Sequence, residues 1–177
     1  MNPTEFQIRF SKSIGESPQN PGIEESFFRS FPEESINLLQ IAEEDKRILR
    51  EVGFPKDAAP FLSFTFGIDE ILQNLSVIDD AYGVEFNTFK TFGHTGSGDV
   101  ICIDESDGSI VYLNHDRNME RVFINSSLPK FAESLCLMAE AIESDYEFEF
   151  MNELAKVDPP AIASEAMWTE EYEAMKE

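Results

Sequence analysis

The sequence predicts an α+β fold, a single domain with a mainly antiparallel sheet of five or six strands flanked by an N-terminal helix and C-terminal helices. Three observations lead there. Helical patterns of apolar and charged residues stand on either side of the chain's middle, at Pro32–Val52 and from Ser127 to Ile142. Between them lie short aromatic and β-branched runs of strand length. Tight-turn residues separate those runs, which leaves no space for the helical crossovers that a parallel sheet needs.

Taken in order, Met1–Gly22 mixes Pro, Ser, Asn and Gly and reads as an arm, residues 1–30, with Phe6–Phe10 as a candidate edge strand. The domain proper is expected over 31–177. Leu38, Leu39, Ala42, Ile48, Leu49 and Val52 recur at three- and four-residue spacings, which predicts one helix over Pro32–Val52 closed by Gly53 and Pro55. Strands are expected at Phe61–Phe66, Phe86–Phe92, Val100–Ile103, Ile110–Leu113 and Arg121–Ile124, with a hairpin turn at Asp107-Gly108. Ser126 and Ser127 are capping residues ahead of a stripe made by Leu128, Phe131, Leu135, Met138 and Ile142, and Pro129 fits the first helical turn. Two shorter helical patterns follow, about Phe148–Lys156 and Ile162–Met175, separated by Asp158-Pro159-Pro160.

A chain of 177 residues buries roughly 70% of its unfolded surface, enough for a core without staples. The 16 Phe supply that core, and Cys102 and Cys136, both in apolar runs, are read as reduced core thiols. Neither a secretory signal nor an 18-residue apolar span is readable, so a cytoplasmic protein is expected. The 35 acidic residues outnumber the 13 basic ones, for a formal charge of −22. Such a surface repels nucleic acid and anionic membrane and attracts basic proteins. Thirteen acidic residues against two basic ones fall between Glu133 and Glu177, which is half of the whole excess.

Motifs that could carry chemistry are incomplete. Gly93–Gly98 lacks the Gly-Lys-Ser/Thr ending of a phosphate loop and runs into a strand, so a flexible strand-to-strand loop is expected. Ser97 with His94 or His115 and Asp99 or Asp116 lists the members of a nucleophilic triad, but His94 and Ser97 share one short loop. Glu105–Ile110 echoes a calcium loop, yet Ile103 and Asn114 occupy the positions its first and last carboxylates need. No catalytic residue, metal site or cofactor is expected.

The order of the pieces is informative. The helix ends in Gly53-Phe54-Pro55. A strand then runs into Gly93, Gly96 and Asp99, and Ile101–Asp104 turns through Gly108 into Val111–Leu113. Arg121–Leu128 carries Asn125-Ser126-Ser127 into a long helix, and Val157-Asp158-Pro159 precedes Trp168 and a last helix. This resembles the SUKH superfamily, immunity proteins related to fungal cell-wall-assembly regulators, and within it the subgroup numbered four, over about Ser35–Tyr172. The resemblance implies a non-catalytic protein, without cofactor, that protects its producer by binding a cognate polymorphic toxin. Many such toxins act on nucleic acid. Gly53, Pro55, Gly93, Gly96, Asp99, Gly108, Asn125, Ser126, Ser127 and Trp168 are then expected to set the fold rather than touch the toxin. A nucleic-acid enzyme needs a basic surface, for which an acidic inhibitor competes. The acidic C-terminal helices, with Glu140, Glu143, Asp145, Glu147 and Glu149, are the expected docking face. The alternative is a regulatory scaffold of the same fold that binds an endogenous partner.

Overall fold

A computed structural model of the chain describes residues 1–14, 27–64, 72–78, 83–144 and 149–174. Helix α1 spans Pro3–Ser13, where an edge strand was expected at Phe6–Phe10. The Asn2 side chain accepts from the Glu5 amide at 2.9 Å, and Pro3 fills the first turn. Phe6 and Phe10 are alternating residues in a strand but also lie one helical turn apart. Both are buried, whereas Ile8 between them is 61% exposed, so the helical period organises the segment.

Strand β1 (Phe28–Arg29) pairs antiparallel with β2 (Phe54–Pro55). Between them the single helix expected over Pro32–Val52 is two: α2 (Glu33–Leu38) and α3 (Glu43–Glu51). Leu39 and Ala42 are both extended, with ψ of 138° and 147°. The break has a packing cause. On one straight helix Ile36 would point about 120° away from Ile48 and about 140° away from Leu49. The extended link lets all three, and Leu39, bury in one core. Gly53 closes α3 as expected: its φ is +75°, its N–H reaches the Ile48 carbonyl at 2.8 Å, and a Cβ there would stand 1.8 Å from the Arg29 carbonyl oxygen.

The main sheet is a six-stranded antiparallel meander in chain order: β3 (Asp57–Ala58), β4 (Leu62–Ser63), β5 (Phe89–Thr95), β6 (Val100–Asp104), β7 (Ser109–Asn114) and β8 (Glu120–Asn125). The β6–β7 hairpin and β8 lie where the sequence puts them. Of the run Phe61–Phe66 only Leu62–Ser63 is strand, and Thr65 and Phe66 lie outside the described residues. The strand expected at Phe86–Phe92 is shifted: Phe86 ends a short 3-10 turn, Val84–Phe86, and β5 continues through Gly93 and His94 to Thr95. The Gly93–Gly98 segment is therefore half strand, and only Gly96–Asp99 turns.

Long helix α5 (Leu128–Glu143) packs between the sheet and α1, α3 and α6 (Phe150–Val157). A 3-10 turn, Pro159–Ile162, leads to α7 (Met167–Ala174). The core is dominated by Phe: the Phe54 ring lies 5.3 Å from Phe6, 4.9 Å from Phe92 and 5.6 Å from Phe131. On the other face of β6–β7 a smaller cluster of Cys102, Val111 and Leu113 is covered by Leu75 of helix α4 (Leu75–Ile78). These strands are buried on both sides, which is why they read as continuous apolar runs.

Candidate functional site

Three residues of the sequence signature, Asn125, Ser126 and Trp168, meet in a buried polar network. Asn125, at the end of β8, donates from Nδ2 to Ser134 Oγ and to Asp158 Oδ2, each at 3.0 Å. Its Oδ1 accepts from Trp168 Nε1 at 3.0 Å. Asp158 also accepts from the Ser126 amide at 2.7 Å, the Ser126 hydroxyl at 2.6 Å and Lys130 Nζ at 3.0 Å. Burial pushes the Asp158 carboxyl up, but the Ser126, Asn125 and Lys130 donors outweigh it and hold the group below its ordinary range. Ser127 caps α5 by accepting from the Lys130 amide, and Asp45 of α3 accepts from the Leu128 amide at 2.6 Å. Asp45, whose burial raises its carboxyl, is a capping ligand of α5 that no local sequence pattern marks. These contacts tie β8, α3, α5 and α7 together, with Lys130 reaching the network from a half-exposed position.

The acidic residues expected at the docking face divide. Glu140 forms a two-pronged ion pair with Arg9 of α1, the Nη2–Oε2 contact being 2.8 Å, and Arg9 also stands 3.6 Å from Glu133. Glu143 and Glu149 are exposed, and Glu149 accepts from the Asn152 side chain. Asp145 and Glu147 lie outside the described residues.

Of the groups read as a possible nucleophilic triad, Asp99 and His115 come together as a pair. Asp99 Oδ1 accepts from the His115 amide at 2.9 Å and lies 2.6 Å from His115 Nδ1, while the Asp99 amide donates to Thr95 Oγ1 at 3.1 Å. Ser97 is exposed on the turn. Among the described residues no group of three or more His, Cys, Asp or Glu side chains is placed to hold a metal, and no helix is long and apolar enough to cross a membrane.

The most distinctive surface lies at the β3–β4 turn. Phe61 is 75% exposed, and its φ of +122° is a conformation that residues with a Cβ rarely adopt. On one side of it a groove of about 860 Å³ runs between the turn and the ends of α1 and α5, walled by Ile14, Ala58, Leu62, Ala139 and Ile142. On its other side a hollow of about 300 Å³ carries Asp99, Asp116, Tyr112 and Glu171. The glycines of the β5–β6 turn shape this place. A Cβ on Gly93 would come 2.5 Å from the Ser63 carbonyl oxygen, and one on Gly96 would come 3.0 Å from Phe61 Cβ. Their lack of side chains lets β4 approach β5 and seats the Phe61 turn. Sequence reading took Phe61 for a strand residue. The signal that could have found it was Pro60, a residue that punctuates turns and loops immediately before Phe61.

The sequence profile of the SUKH-4 immunity protein family matches residues 28–174. Comparison with curated proteins and with solved structures gave no match.

Proposed function

As this chain belongs to the SUKH-4 immunity protein family, we propose that it is a non-catalytic protein of the cytoplasm that binds a cognate polymorphic toxin domain and neutralises it by occlusion. The match over residues 28–174 carries this reading. The formal charge of −22 supports its finer part, a basic toxin that acts on nucleic acid, because a surface built to neutralise phosphates is also attracted to an acidic protein. Charge complementarity of this kind raises association rates towards roughly 10⁸ M⁻¹s⁻¹ at low salt, and an interface of about 1,600 Å² is sufficient for a stable complex. Neither nucleic acid nor membrane is a partner in this proposal, and no cofactor is needed. Glu140, Glu143, Asp145, Glu147 and Glu149 contribute to the field that steers the toxin.

Co-expression with the toxin domain encoded beside this gene tests the proposal. Growth rescue together with a complex that co-purifies is the expected result. Toxicity undiminished and no complex would overturn it in favour of a regulatory scaffold. Neutralising the five carboxylates is expected to slow association and flatten its salt dependence while growth rescue persists at high expression.

A further inference from the structure

Exposed apolar side chains are ordinary one at a time, but here three large ones, Ile14, Phe61 and Ile142, line one groove. Phe61 is also held at a strained φ with its ring in solvent. Backbone strain of this kind persists where the surroundings impose it, and it concentrates at binding and active sites. The strain does not serve the core: Phe61 is absent from both buried clusters.

The charges around the ring are one-sided. Asp57 lines the groove, and Asp99, Asp116 and Glu171 line the hollow, with no Lys or Arg among the described residues in either wall. Asp99 is matched by His115, and Asp116 stands 3.4 Å from the same ring. Glu171 has no ion-pair or hydrogen-bond partner among the described residues, while Glu170 beside it accepts from Tyr112 and faces Arg117. Partial burial, and then Glu170, raise the Glu171 carboxyl, as expected of an anion short of a counter-charge. An apolar centre with a charged border is the usual anatomy of a protein interface, and aromatic residues at such centres carry a large share of the affinity.

Resting on the immunity reading, we propose that Phe61 and the apolar groove beside it anchor the toxin. The occupant is a basic protein domain that lays an apolar side chain in the groove against Phe61 and brings a Lys or Arg to Glu171 in the hollow. The expected C-terminal acidic face then steers the encounter, and the β3–β4 turn holds the complex. A strained anchor makes a distinctive demand: binding and stability should move in opposite directions when it is removed. Phe61→Gly relieves the unfavourable φ and removes the ring.

The test uses the full-length protein and the catalytically inactivated toxin domain encoded beside its gene, with affinity and rates from biosensor titration and stability from thermal unfolding. Phe61→Gly is expected to weaken binding roughly 30-fold or more, the scale of a hot-spot aromatic, with a melting temperature at or above that of the wild type. Glu171→Gln is expected to slow association and reduce its salt dependence, and Leu38→Ala, exposed on α2, should change nothing. Wild-type affinity for both Phe61→Gly and Glu171→Gln, with the wild type still protecting, would overturn the anchor and leave the immunity reading standing. A wild type that neither binds nor protects would remove both. A wild-type dimer that Phe61→Gly turns into a monomer, with toxin affinity unchanged, would assign the groove to a second copy of this chain and equally overturn the proposal.

Discussion

Asn125 joins more of the fold than its size suggests, and replacing it with Ala tests that reading quantitatively. The side chain is fully buried and makes three hydrogen bonds, to Ser134, Asp158 and Trp168. The partners suffer unequally. Ser134 keeps its bond to the Lys130 carbonyl at 2.9 Å. Trp168 Nε1–H has no other acceptor among the described residues and would be left buried and unsatisfied, a cost of about 1–3 kcal/mol. Asp158 keeps Ser126 and Lys130 but loses one donor to a charged acceptor, worth about 1.5–3 kcal/mol. The two losses share atoms and do not add fully, so about 2–5 kcal/mol is expected, or roughly 4–20 °C in melting temperature for a chain of this size.

The assay is built in, because Trp168 is the one tryptophan and sits on the network, so its fluorescence follows the loss of this packing. Urea unfolding of the wild type and Asn125→Ala gives the difference directly. Asn125→Asp sharpens the test. It is isosteric, but it puts a carboxylate oxygen where an amide nitrogen lies 3.0 Å from Asp158. It should be at least as harmful as Asn125→Ala at pH 7, and Asp158→Asn in the same chain should recover part of the loss. If Asn125→Ala costs under about 1 kcal/mol, or Asn125→Asp is tolerated at neutral pH, the network is not what joins these elements.

Three further outcomes follow from the same structure. Gly53→Ala should destabilise by about 2 kcal/mol or more in urea unfolding, because φ is +75° and the new Cβ would collide with the Arg29 carbonyl; an unchanged midpoint would refute this close approach. The Asp158 carboxyl is depressed below its ordinary 3.8, so its contribution is present above that pH and is lost as pH falls through the lower folded value. Asp158→Asn should accordingly flatten the fall of stability as pH drops below about 4, and an unaltered acid limb would refute that assignment. Burial raises both thiols, Cys136 to about 12 and Cys102 further, so a thiol reagent at pH 8 should label the native protein only as fast as it opens, and rapid labelling of either cysteine would contradict the packing.

Where one signal dominated, the sequence was read correctly. Helix α5 carries a capping serine, a proline in its first turn and an apolar stripe in which Leu128, Phe131, Leu135 and Met138 are buried and only Ile142, in the last turn, is exposed. The β6–β7 hairpin has Asp107-Gly108, with Gly108 at φ +79°, between two β-branched runs. The misreadings fall where two signals compete. In Phe6–Phe10 strand alternation and a helical i, i+4 pair use the same two residues, and Asn2, Pro3 and Glu5, the capping signals that decide between them, precede the run. In Pro32–Val52 the spacing suits one helix, but the core must take Ile36 and Leu49 from opposite sides, a constraint visible only once α5 and the sheet are in place. The groove at Phe61 is composed of α1, the β3–β4 turn and α5, which are distant in the chain, so no local pattern encodes it.

The signature residues and the proposed binding surface meet along β5 and the β5–β6 turn, at Gly93, Gly96 and Asp99, and that contact gives the architecture its logic. Asn125, Ser126 and Trp168 spend their polar atoms on one another and on Asp158, and Gly53 is enclosed by β1. Gly96 differs: it is exposed and lies beneath Phe61, where a side chain would press on the ring's Cβ. A change at Asn125 should therefore alter stability with little effect on the toxin association rate of the protein that remains folded. A change at Gly96 should do the reverse, because the turn can move into solvent while the core is undisturbed. Gly96→Val, which crowds Phe61 from below, is expected to weaken toxin binding with an unfolding midpoint close to that of the wild type. Equal loss of stability and affinity would mean that the glycine turn belongs to the scaffold alone.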